Sequence, residues 1–260
     1  MIASAFAARR GEGRAALVPY FTAGHPAADS TVPVLSALAD AGADVIELGI
    51  PFSDPLADGP TIQQSSFQSL ENGTTVKRVL AALADFRASY ETPVVLFTYL
   101  NPVLRHGVER FLQEAVDAGA NGLLLTDLPT GADPELEAKV VDSPLDLIRL
   151  IAPTTSLERV PEVVRGGSGF VYYISRTGVT GARHELRGEL EGEIRAIQDA
   201  VDLPVAVGFG ISTPEQAAAV GAVADGVVVG SAFVRRLGEE GIDAGIDFIR
   251  SLREGLDRER

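Results

Sequence analysis

Residues 43–60 read Ala43-Asp-Val-Ile-Glu-Leu-Gly-Ile-Pro-Phe-Ser-Asp-Pro-Leu-Ala-Asp-Gly-Pro60. The apolar residues before Glu47 predict the start of a buried parallel strand, which places Glu47 near the carboxyl end of that strand. A second carboxylate, Asp58, follows eleven residues later in a loop that three prolines stiffen. Because an ionised carboxylate is costly to desolvate unless it is paired or used, the segment predicts an acid–base pair at the mouth of a barrel. Asp-Gly-Pro is also ordinary turn chemistry, so loop capping is the alternative role for Asp58.

Short apolar runs alternate with helical patterns along the whole chain. Eight runs rich in Val, Ile, Leu or Tyr are typical of buried parallel strands, at 17–22, 45–49, 94–99, 122–127, 147–152, 170–175, 205–208 and 226–230. Helices are predicted between them at 29–41, 61–90, 105–118, 134–141, 156–165, 190–200, 214–220 and 232–256. Strand-then-helix repeated eight times predicts a single α/β domain over residues 1–260, a (β/α)8 TIM barrel with a short N-terminal extra helix.

Three joints between a predicted helix and the next strand are near-copies of one another. They read Asp40-Ala-Gly-Ala-Asp44, Asp117-Ala-Gly-Ala-Asn121 and Val220-Gly-Ala-Val-Ala-Asp225. A glycine just past a helix supplies the left-handed C-cap that such a joint needs. An open doubly wound sheet is the alternative fold, but no glycine-rich fingerprint follows the first predicted strand.

The composition excludes several functional classes. The net charge of −14 argues against nucleic acid and anionic membrane surfaces as partners. The chain has no cysteine, which excludes disulfides, thiolate nucleophiles and thiol-ligated metals. The first ten residues carry their charges after the apolar run, the reverse of a signal peptide, and no stretch reaches the ~20 apolar residues that span a bilayer. We therefore predict a soluble cytoplasmic protein.

Alternation along the second predicted strand sets the direction of Glu47. Ile46 and Leu48 suit packing against outer helices, so Glu47, on the opposite face, should point into the barrel mouth. The alternative is a structural carboxylate that neighbouring hydroxyls, such as those of Tyr172 or Ser175, satisfy by hydrogen bonds.

Two glycine-containing segments near the end of the chain predict a phosphate site. Gly208-Phe-Gly-Ile-Ser212 ends the seventh predicted strand, and Val229-Gly-Ser-Ala-Phe233 joins the eighth to a helix. Barrels commonly bind phosphate with these two loops and a helix N-terminus. A simple tight turn is the alternative for the first segment.

A third glycine-containing segment, Ser175-Arg-Thr-Gly-Val-Thr-Gly-Ala-Arg-His184, follows the sixth predicted strand. Its glycines, hydroxyls and basic residues favour a mobile lid, in which Thr180 and Gly181 contact the substrate on closing. A disordered loop is the alternative.

Other chemistry is disfavoured by what the chain lacks. Its two lysines, Lys77 and Lys139, lie in predicted helices away from strand ends, which argues against a Schiff-base mechanism. The histidines His25, His106 and His184 have no metal-ligand spacing, and we expect each at the surface or behind the site. We therefore predict that carboxylates alone act on a phosphorylated substrate, with no metal and no organic cofactor.

The segments quoted above resemble those of the tryptophan synthase alpha subunit family, from about Val18 to Phe233. The resemblance rests on residues 47–60, 175–181, 208–212 and 230–231, with further matches at 19–24, 99–102 and 126–129. The family cleaves indole-3-glycerol phosphate to indole and glyceraldehyde 3-phosphate in a retro-aldol reaction. The sequence departs from the family at His25, at Phe97-Thr98, where smaller residues are usual, and in a short region 130–146.

The resemblance also implies roles for individual residues. Glu47 is implied to be the general acid–base at C3 of the indole and at the glycerol hydroxyl, and Asp58 to accept the indole N–H. The implied indole walls are Tyr20, Phe97, Tyr99, Tyr172 and Phe209. The implied phosphate ligands are Gly181, Gly210, Gly230 and Ser231, with Thr180 on the lid.

A partner is implied as well. The family works with a beta subunit in an alpha2-beta2 tetramer, where indole passes internally to pyridoxal phosphate bound by the beta subunit. Among rivals, indole-glycerol phosphate synthase needs a catalytic lysine at a strand end, and the histidine-pathway isomerases need paired aspartates. A non-catalytic activator of the beta subunit is the alternative from another class, against which Glu47 and Asp58 argue.

Overall fold

A ring of parallel strands forms the centre of the structure. The computed structural model describes residues 1–175, 184–208 and 210–257, with backbone alone for 184–189. The described strands are β1 (Ala16–Thr22), β2 (Ile46–Gly49), β3 (Val94–Thr98), β4 (Gly122–Leu125), β5 (Asp146–Leu147), β6 (Arg149–Ile151), β7 (Val171–Ile174), β8 (Val205–Gly208) and β9 (Gly226–Val229). All their pairings are parallel, in the order β5-β4-β3-β2-β1-β9-β8-β7-β6.

The strands at the two ends of this order, β5 and β6, follow one another directly in the chain. Only Ile148 separates β5 from β6, and its amide donates to the Leu123 carbonyl of β4 at 3.0 Å. The two short strands are therefore the halves of the fifth predicted strand. The (β/α)8 barrel is confirmed, and the open doubly wound alternative is wrong.

Helices alternate with the strands along the chain. They are α1 (Ile2–Gly11), α2 (Thr31–Asp40), α3 (Pro60–Glu71), α4 (Val76–Arg87), α5 (Leu100–His106), α6 (Val108–Asp117), α7 (Pro134–Val141), α8 (Val160–Val163), α9 (His184–Ala200), α10 (Pro214–Gly221), α11 (Ser231–Glu239) and α12 (Ile242–Asp257). A short 3-10 turn, Leu157–Arg159, precedes α8.

Three of the predicted helices are interrupted at a glycine with positive φ. The one predicted over 105–118 is interrupted at Gly107, with φ +93°, which separates α5 from α6. The prediction of one helix over 61–90 is wrong because the chain turns at Gly73, with φ +77°, before α4 begins. The long helix over 232–256 likewise breaks at Gly241, with φ +92°. A left-handed backbone cannot continue a right-handed helix, and glycine adopts it without the Cβ penalty.

The barrel wall separates two apolar layers, as the alternation along β2 predicts. Val45 belongs to the cluster inside the barrel, whereas Ile46 and Leu48 pack in the larger layer between strands and outer helices. Both layers are fully buried at these positions. Glu47 shares its face with Val45 and therefore points into the barrel.

Helix α1 closes the amino-terminal end of the barrel, so the predicted N-terminal extra helix is confirmed. Its residues Ile2 and Phe6 are 0% and 1% exposed and join the cluster inside the barrel. The Phe6 ring stacks on Phe170, with the ring centroids 5.2 Å apart. This plug fills the bottom of the barrel and leaves the opposite end open for a site.

Polar residues at the repeated joints fix the starts of the strands. Asp44 accepts the amide of Leu17 at 2.8 Å, and Asp225 accepts the amide of Val205 at 2.9 Å. Asn121 does the same for Val94 at 2.9 Å. Each joint thus satisfies an amide at the bottom of the preceding strand.

The glycines of these joints do not all act alike. Gly42 and Gly119 have φ of +87° and +86°, as the C-cap prediction requires. The same prediction is wrong for Gly221, which is the last residue of α10 and does not have a positive φ. A glycine is needed there because Leu256 packs against it. A Cβ at that position would lie only 2.4 Å from Leu256 Cδ2.

We expect Phe6→Ala to destabilise the protein by about 3 to 5 kcal/mol, since it removes a buried ring from the barrel plug. Phe67→Ala is the matched control, because Phe67 is 47% exposed on α3 and its loss should cost less than about 0.5 kcal/mol. Denaturant unfolding of both variants measures the difference. Equal midpoints would show that α1 does not support the barrel.

Candidate active site

Glu47 is a buried carboxyl group at the open end of the barrel. It lies on β2, pairs in register with Tyr20 of β1, and is 1% exposed. Within the described part of the chain, neither of its carboxylate oxygens has a hydrogen-bond partner. Burial raises the pKa of Glu47 to about 8, because the ionised form loses its hydration and gains nothing in return.

This finding bears on the two interpretations of Glu47. A structural carboxylate would accept hydrogen bonds from nearby hydroxyls, as buried polar groups usually do. In the described residues, neither Tyr172 nor Ser175 bonds to it. The described residues therefore give the structural alternative no support, and a buried carboxyl group of this kind is a candidate for a functional acid.

Asp58 is held over the barrel mouth by Tyr99. The Tyr99 hydroxyl donates to Asp58 Oδ2 at 2.9 Å and accepts the Ala57 amide at 3.0 Å. Gln63 Nε2 donates to the Asp58 carbonyl at 2.9 Å, which ties the loop to the first turn of α3. The Asp58 side chain does not cap α3, which begins at Gly59 without a side-chain hydrogen bond, and its carboxylate bonds to Tyr99 instead.

The two carboxyl groups have different proton affinities. Burial raises the pKa of Asp58 to about 6, while the hydrogen bond from Tyr99 acts in the opposite direction. Glu47, which lacks such a donor, has the higher pKa. Near pH 7 the favoured state is a protonated Glu47 beside an ionised Asp58, a separation typical of acid–base sites.

Both carboxylates influence the same tyrosines, so the two groups lie near one another at the open end of the barrel, in a region that we call the cavity. Burial raises the pKa of Tyr20, and the charges of Asp58 and Glu47 raise it further. The pKa of Tyr172 is raised by burial first and then by Glu47 and Asp58. The two phenols therefore stay neutral.

Aromatic rings line the cavity. The Tyr20 ring meets Phe97 edge to face, with centroids 5.0 Å apart, and Tyr99 packs against Phe52 at 5.2 Å. Tyr172 faces inward from β7, in register with Leu150 and Ala206. These rings form apolar walls suited to a flat aromatic ligand.

Two glycines that the sequence reasoning did not assign to this cavity make room for its tyrosines. A Cβ on Gly49 would lie 2.4 Å from the Tyr20 hydroxyl, and one on Gly208 would lie 2.3 Å from the Tyr172 hydroxyl. Any larger residue would displace the phenols. A signal was present in the sequence, because both positions share the inward face of their strands.

The predicted phosphate residues lie at the open ends of neighbouring strands. Gly210 follows β8 by two residues with φ +68°, and Gly230 caps α11, which Ser231 begins. Because β8 pairs with β9, these loops adjoin one another. Ser231 is exposed and its helix N-terminus is open to an anion. Thr180, Gly181 and Phe209 lie outside the described residues.

The histidines and lysines take no part in the cavity, as far as the structure describes them. His25 and His106 are buried, so of the two expected positions the surface is excluded for both, and a position behind the site stays a prediction. His25 lies within hydrogen-bond distance of Gln68 and the Val234 carbonyl, and His106 of Glu114. Lys139 pairs with Glu109 and Glu135 on outer helices.

The described residues hold no group of three or more His, Asp or Glu side chains that could bind a metal ion. None of the described helices is both long enough and apolar enough to pass through a membrane.

Comparisons with known proteins identify the family of the chain. The family model of the tryptophan synthase alpha chain matches residues 6–253. The tryptophan synthase alpha chain of Synechococcus elongatus is 46% identical over 99% of this chain and 97% of its own length. That of Geobacter sulfurreducens is 49% identical over 90% of this chain and 89% of its own length.

Solved structures give the same result. The alpha subunit of tryptophan synthase from Legionella pneumophila superposes with a TM-score of 0.92 at 36% identity, covering 99% of this chain and 98% of that one. A chain of Mycobacterium tuberculosis tryptophan synthase superposes with a TM-score of 0.88 at 38% identity, covering 98% and 97%.

The alpha chains of this family use no cofactor, and pyridoxal phosphate belongs to the beta subunit. The chain therefore belongs to the tryptophan synthase alpha chain family, and it is a carbon–carbon lyase that cleaves indole-3-glycerol phosphate in tryptophan synthesis.

Proposed function

We propose that Glu47 and Asp58 divide the chemistry of this cleavage between them. The supporting observation is the contrast in their surroundings: Glu47 is buried without a partner, whereas Asp58 receives a hydrogen bond from Tyr99. Glu47 starts as the acid because its pKa is about 8, and Asp58 starts as the carboxylate because its pKa is about 6. One group supplies a proton and the other balances charge.

In the proposed reaction Glu47 both donates a proton and takes one back, so no second proton donor or acceptor is needed. Glu47 first gives its proton to C3 of the indole ring, which places positive charge on the ring nitrogen. Asp58 accepts the indole N–H and stabilises that charge. The Glu47 carboxylate then removes the proton from the hydroxyl on the carbon attached to C3. The C–C bond breaks, its electrons restore the aromatic indole, and the glycerol carbon becomes the aldehyde of glyceraldehyde 3-phosphate.

The rest of the cavity binds the two ends of the substrate in this proposal. The indole wall comprises Tyr20, Phe97, Tyr99, Tyr172 and Phe209. The phosphate is held by Gly181, Gly210, Gly230 and Ser231, with Thr180 closing over it. Support comes from the aromatic contacts around Tyr20 and from the open N-terminus of α11 beside the β8 loop.

We also propose that the chain acts as one domain in the cytoplasm, within an alpha2-beta2 tetramer whose beta subunit binds pyridoxal phosphate. Indole passes internally to that subunit. The solved relative from Mycobacterium tuberculosis is a tryptophan synthase, which supports a shared assembly. Leu56, in the loop that carries Asp58, is 90% exposed and available to a partner. A non-catalytic activator would not need an unpaired buried Glu47.

Glu47→Gln should lower kcat by roughly 10²- to 10⁴-fold, because an amide cannot donate the proton to C3. Asp58→Asn should also reduce kcat/KM, since the amide carries no charge to stabilise the protonated ring. Glu71→Gln, at an exposed position on α3, is the control and should keep wild-type turnover. Release of indole from indole-3-glycerol phosphate measures all three. Retained turnover in Glu47→Gln would remove Glu47 from its proposed role.

The pH dependence of kcat/KM should be bell-shaped. The rate should rise near pH 6 as Asp58 ionises and fall near pH 8 as Glu47 loses its proton. Tyr99→Phe removes the hydrogen bond that lowers the pKa of Asp58, so only the acidic limb should move, to higher pH. A shift of that limb to lower pH would contradict the role of Tyr99.

Adding a purified beta subunit should raise the rate of indole release several-fold above that of the isolated chain. Leu56→Ser should weaken this stimulation, because it removes an exposed apolar contact beside Asp58. Val141→Ser, at the far end of α7, is 46% exposed and is the matched control. A rate that the beta subunit leaves unchanged would count against coupling.

A further inference from the structure

Two side chains of α3 hold the loop that carries Asp58 at both of its ends. At the end next to α3, Gln63 Nε2 donates to the Asp58 carbonyl at 2.9 Å and to the Pro55 carbonyl at 3.3 Å. At the end next to β2, the Ser66 hydroxyl accepts the Phe52 amide at 2.9 Å and donates to the Phe52 carbonyl at 3.0 Å. Gln63 and Ser66 lie one helical turn apart, and we call the pair the α3 clamp.

The side-chain amide of Gln63 matches the turn that it holds. The Asp58 amide donates to the Pro55 carbonyl at 3.1 Å, which closes a four-residue turn over residues 55–58. Because carbonyl oxygens only accept, the nitrogen of the Gln63 amide must face the two carbonyls, and it has one hydrogen for each. Gln63 therefore fixes both ends of the turn whose last residue is Asp58.

The α3 helix is itself fixed to the barrel wall. The Ser65 hydroxyl lies 2.7 Å from Thr22 Oγ1 at the end of β1, and the Ser69 hydroxyl donates to a backbone carbonyl just after β1. Ser65 and Ser69 are 1% and 0% exposed, so bulk water does not compete for these bonds. Because β1 pairs with β2, the clamp fixes Asp58 relative to the strand that carries Glu47.

Both members of the clamp support the contact between Tyr99 and Asp58. The Tyr99 hydroxyl donates to Asp58 Oδ2 at 2.9 Å and accepts the Ala57 amide at 3.0 Å, so this contact depends on where the turn lies. The Tyr99 ring packs against Phe52, the residue that Ser66 holds, with the ring centroids 5.2 Å apart. A shift of the loop by about 1 Å would weaken the contact without unfolding the barrel.

We propose that Gln63 and Ser66 are positioning residues, which hold Asp58 where its carboxylate meets both Tyr99 and the indole N–H. Both act through the backbone of the loop rather than through the substrate. A charge that must stabilise the protonated ring is effective only at the correct distance and angle, so the clamp sets the rate of the chemical step. This inference rests on the role proposed for Asp58.

Gln63→Met is the decisive variant, because it keeps the length of the side chain and removes both hydrogens. We expect kcat to fall about 10- to 100-fold and KM to change less than about 3-fold, since the aromatic and phosphate-binding residues stay in place. Gln64→Met is the matched control at the next, exposed residue of α3 and should keep wild-type turnover. Release of indole from indole-3-glycerol phosphate measures kcat and KM for both.

The pH profile separates positioning from a general loss of stability. The titratable groups that face Asp58 are Tyr99 and, at longer range, Tyr20 of β1 and Tyr172 of β7. Gln63→Met exchanges one neutral side chain for another, so it acts on Asp58 through geometry alone. Loss of the Tyr99 hydrogen bond raises the pKa of Asp58, and the acidic limb of kcat/KM should therefore move to higher pH.

A double-mutant cycle with Tyr99→Phe tests whether the clamp acts through Tyr99. The hydrogen bond is already absent in Tyr99→Phe, so adding Gln63→Met should leave the acidic limb where Tyr99→Phe places it. Two additive shifts would contradict positioning through Tyr99. Ser66→Ala releases the other end of the loop and should give the same pattern, and it decides the question if Gln63→Met does not fold.

The outcomes distinguish this inference from the function on which it rests. If Gln63→Met and Ser66→Ala keep the kcat and the acidic limb of the wild type while Asp58→Asn is impaired, the clamp has no positioning role and the role of Asp58 stands. If Asp58→Asn keeps wild-type turnover, the role proposed for Asp58 fails, and the positioning role of the clamp fails with it.

Discussion

The burial of one carboxyl group, which has no hydrogen-bond partner among the described residues, is the constraint on which the proposed chemistry depends. Glu47 lies in an apolar barrel wall, and the described residues offer its oxygens no hydrogen bond. In the folded protein Glu47 is therefore either protonated or a buried charge. Burial disfavours the charged form and raises the pKa of Glu47 to about 8, so the protonated form is favoured at neutral pH. This cost falls at the position where the proposed reaction needs an acid that is protonated near neutral pH.

The remaining architecture supports that point from both ends. At the bottom, Phe6 of α1 and the polar joints around Asp44 and Asp225 fill the interior and satisfy the strand amides. This fixes the register of β1 and β2, and with it the pairing of Tyr20 with Glu47. At the top, Gly49 and Gly208 make room for two tyrosines. Stability and chemistry are therefore separated along the barrel axis, as is usual for this fold.

The two acidic groups show how local surroundings assign different roles to similar side chains. Asp58 has a donor in Tyr99 and remains partly exposed, whereas Glu47 has neither advantage. Tyr99 donates a hydrogen bond to Asp58, whereas no hydroxyl of the described residues bonds to Glu47.

The sequence alone determined the barrel, the inward direction of Glu47 and the order of the motifs, because strand periodicity and glycine chemistry are local properties. It could not locate the breaks at Gly73 and Gly241, since a helical pattern continues across them and only packing decides where the chain turns. It also left open whether hydroxyls satisfy Glu47. That depends on which side chains meet across β1, β2 and β7. The Tyr20 hydroxyl lies 3.3 Å from Thr22 Oγ1, which lies 2.7 Å from Ser65 Oγ. These residues are up to 45 positions apart, and only the tertiary structure brings them together.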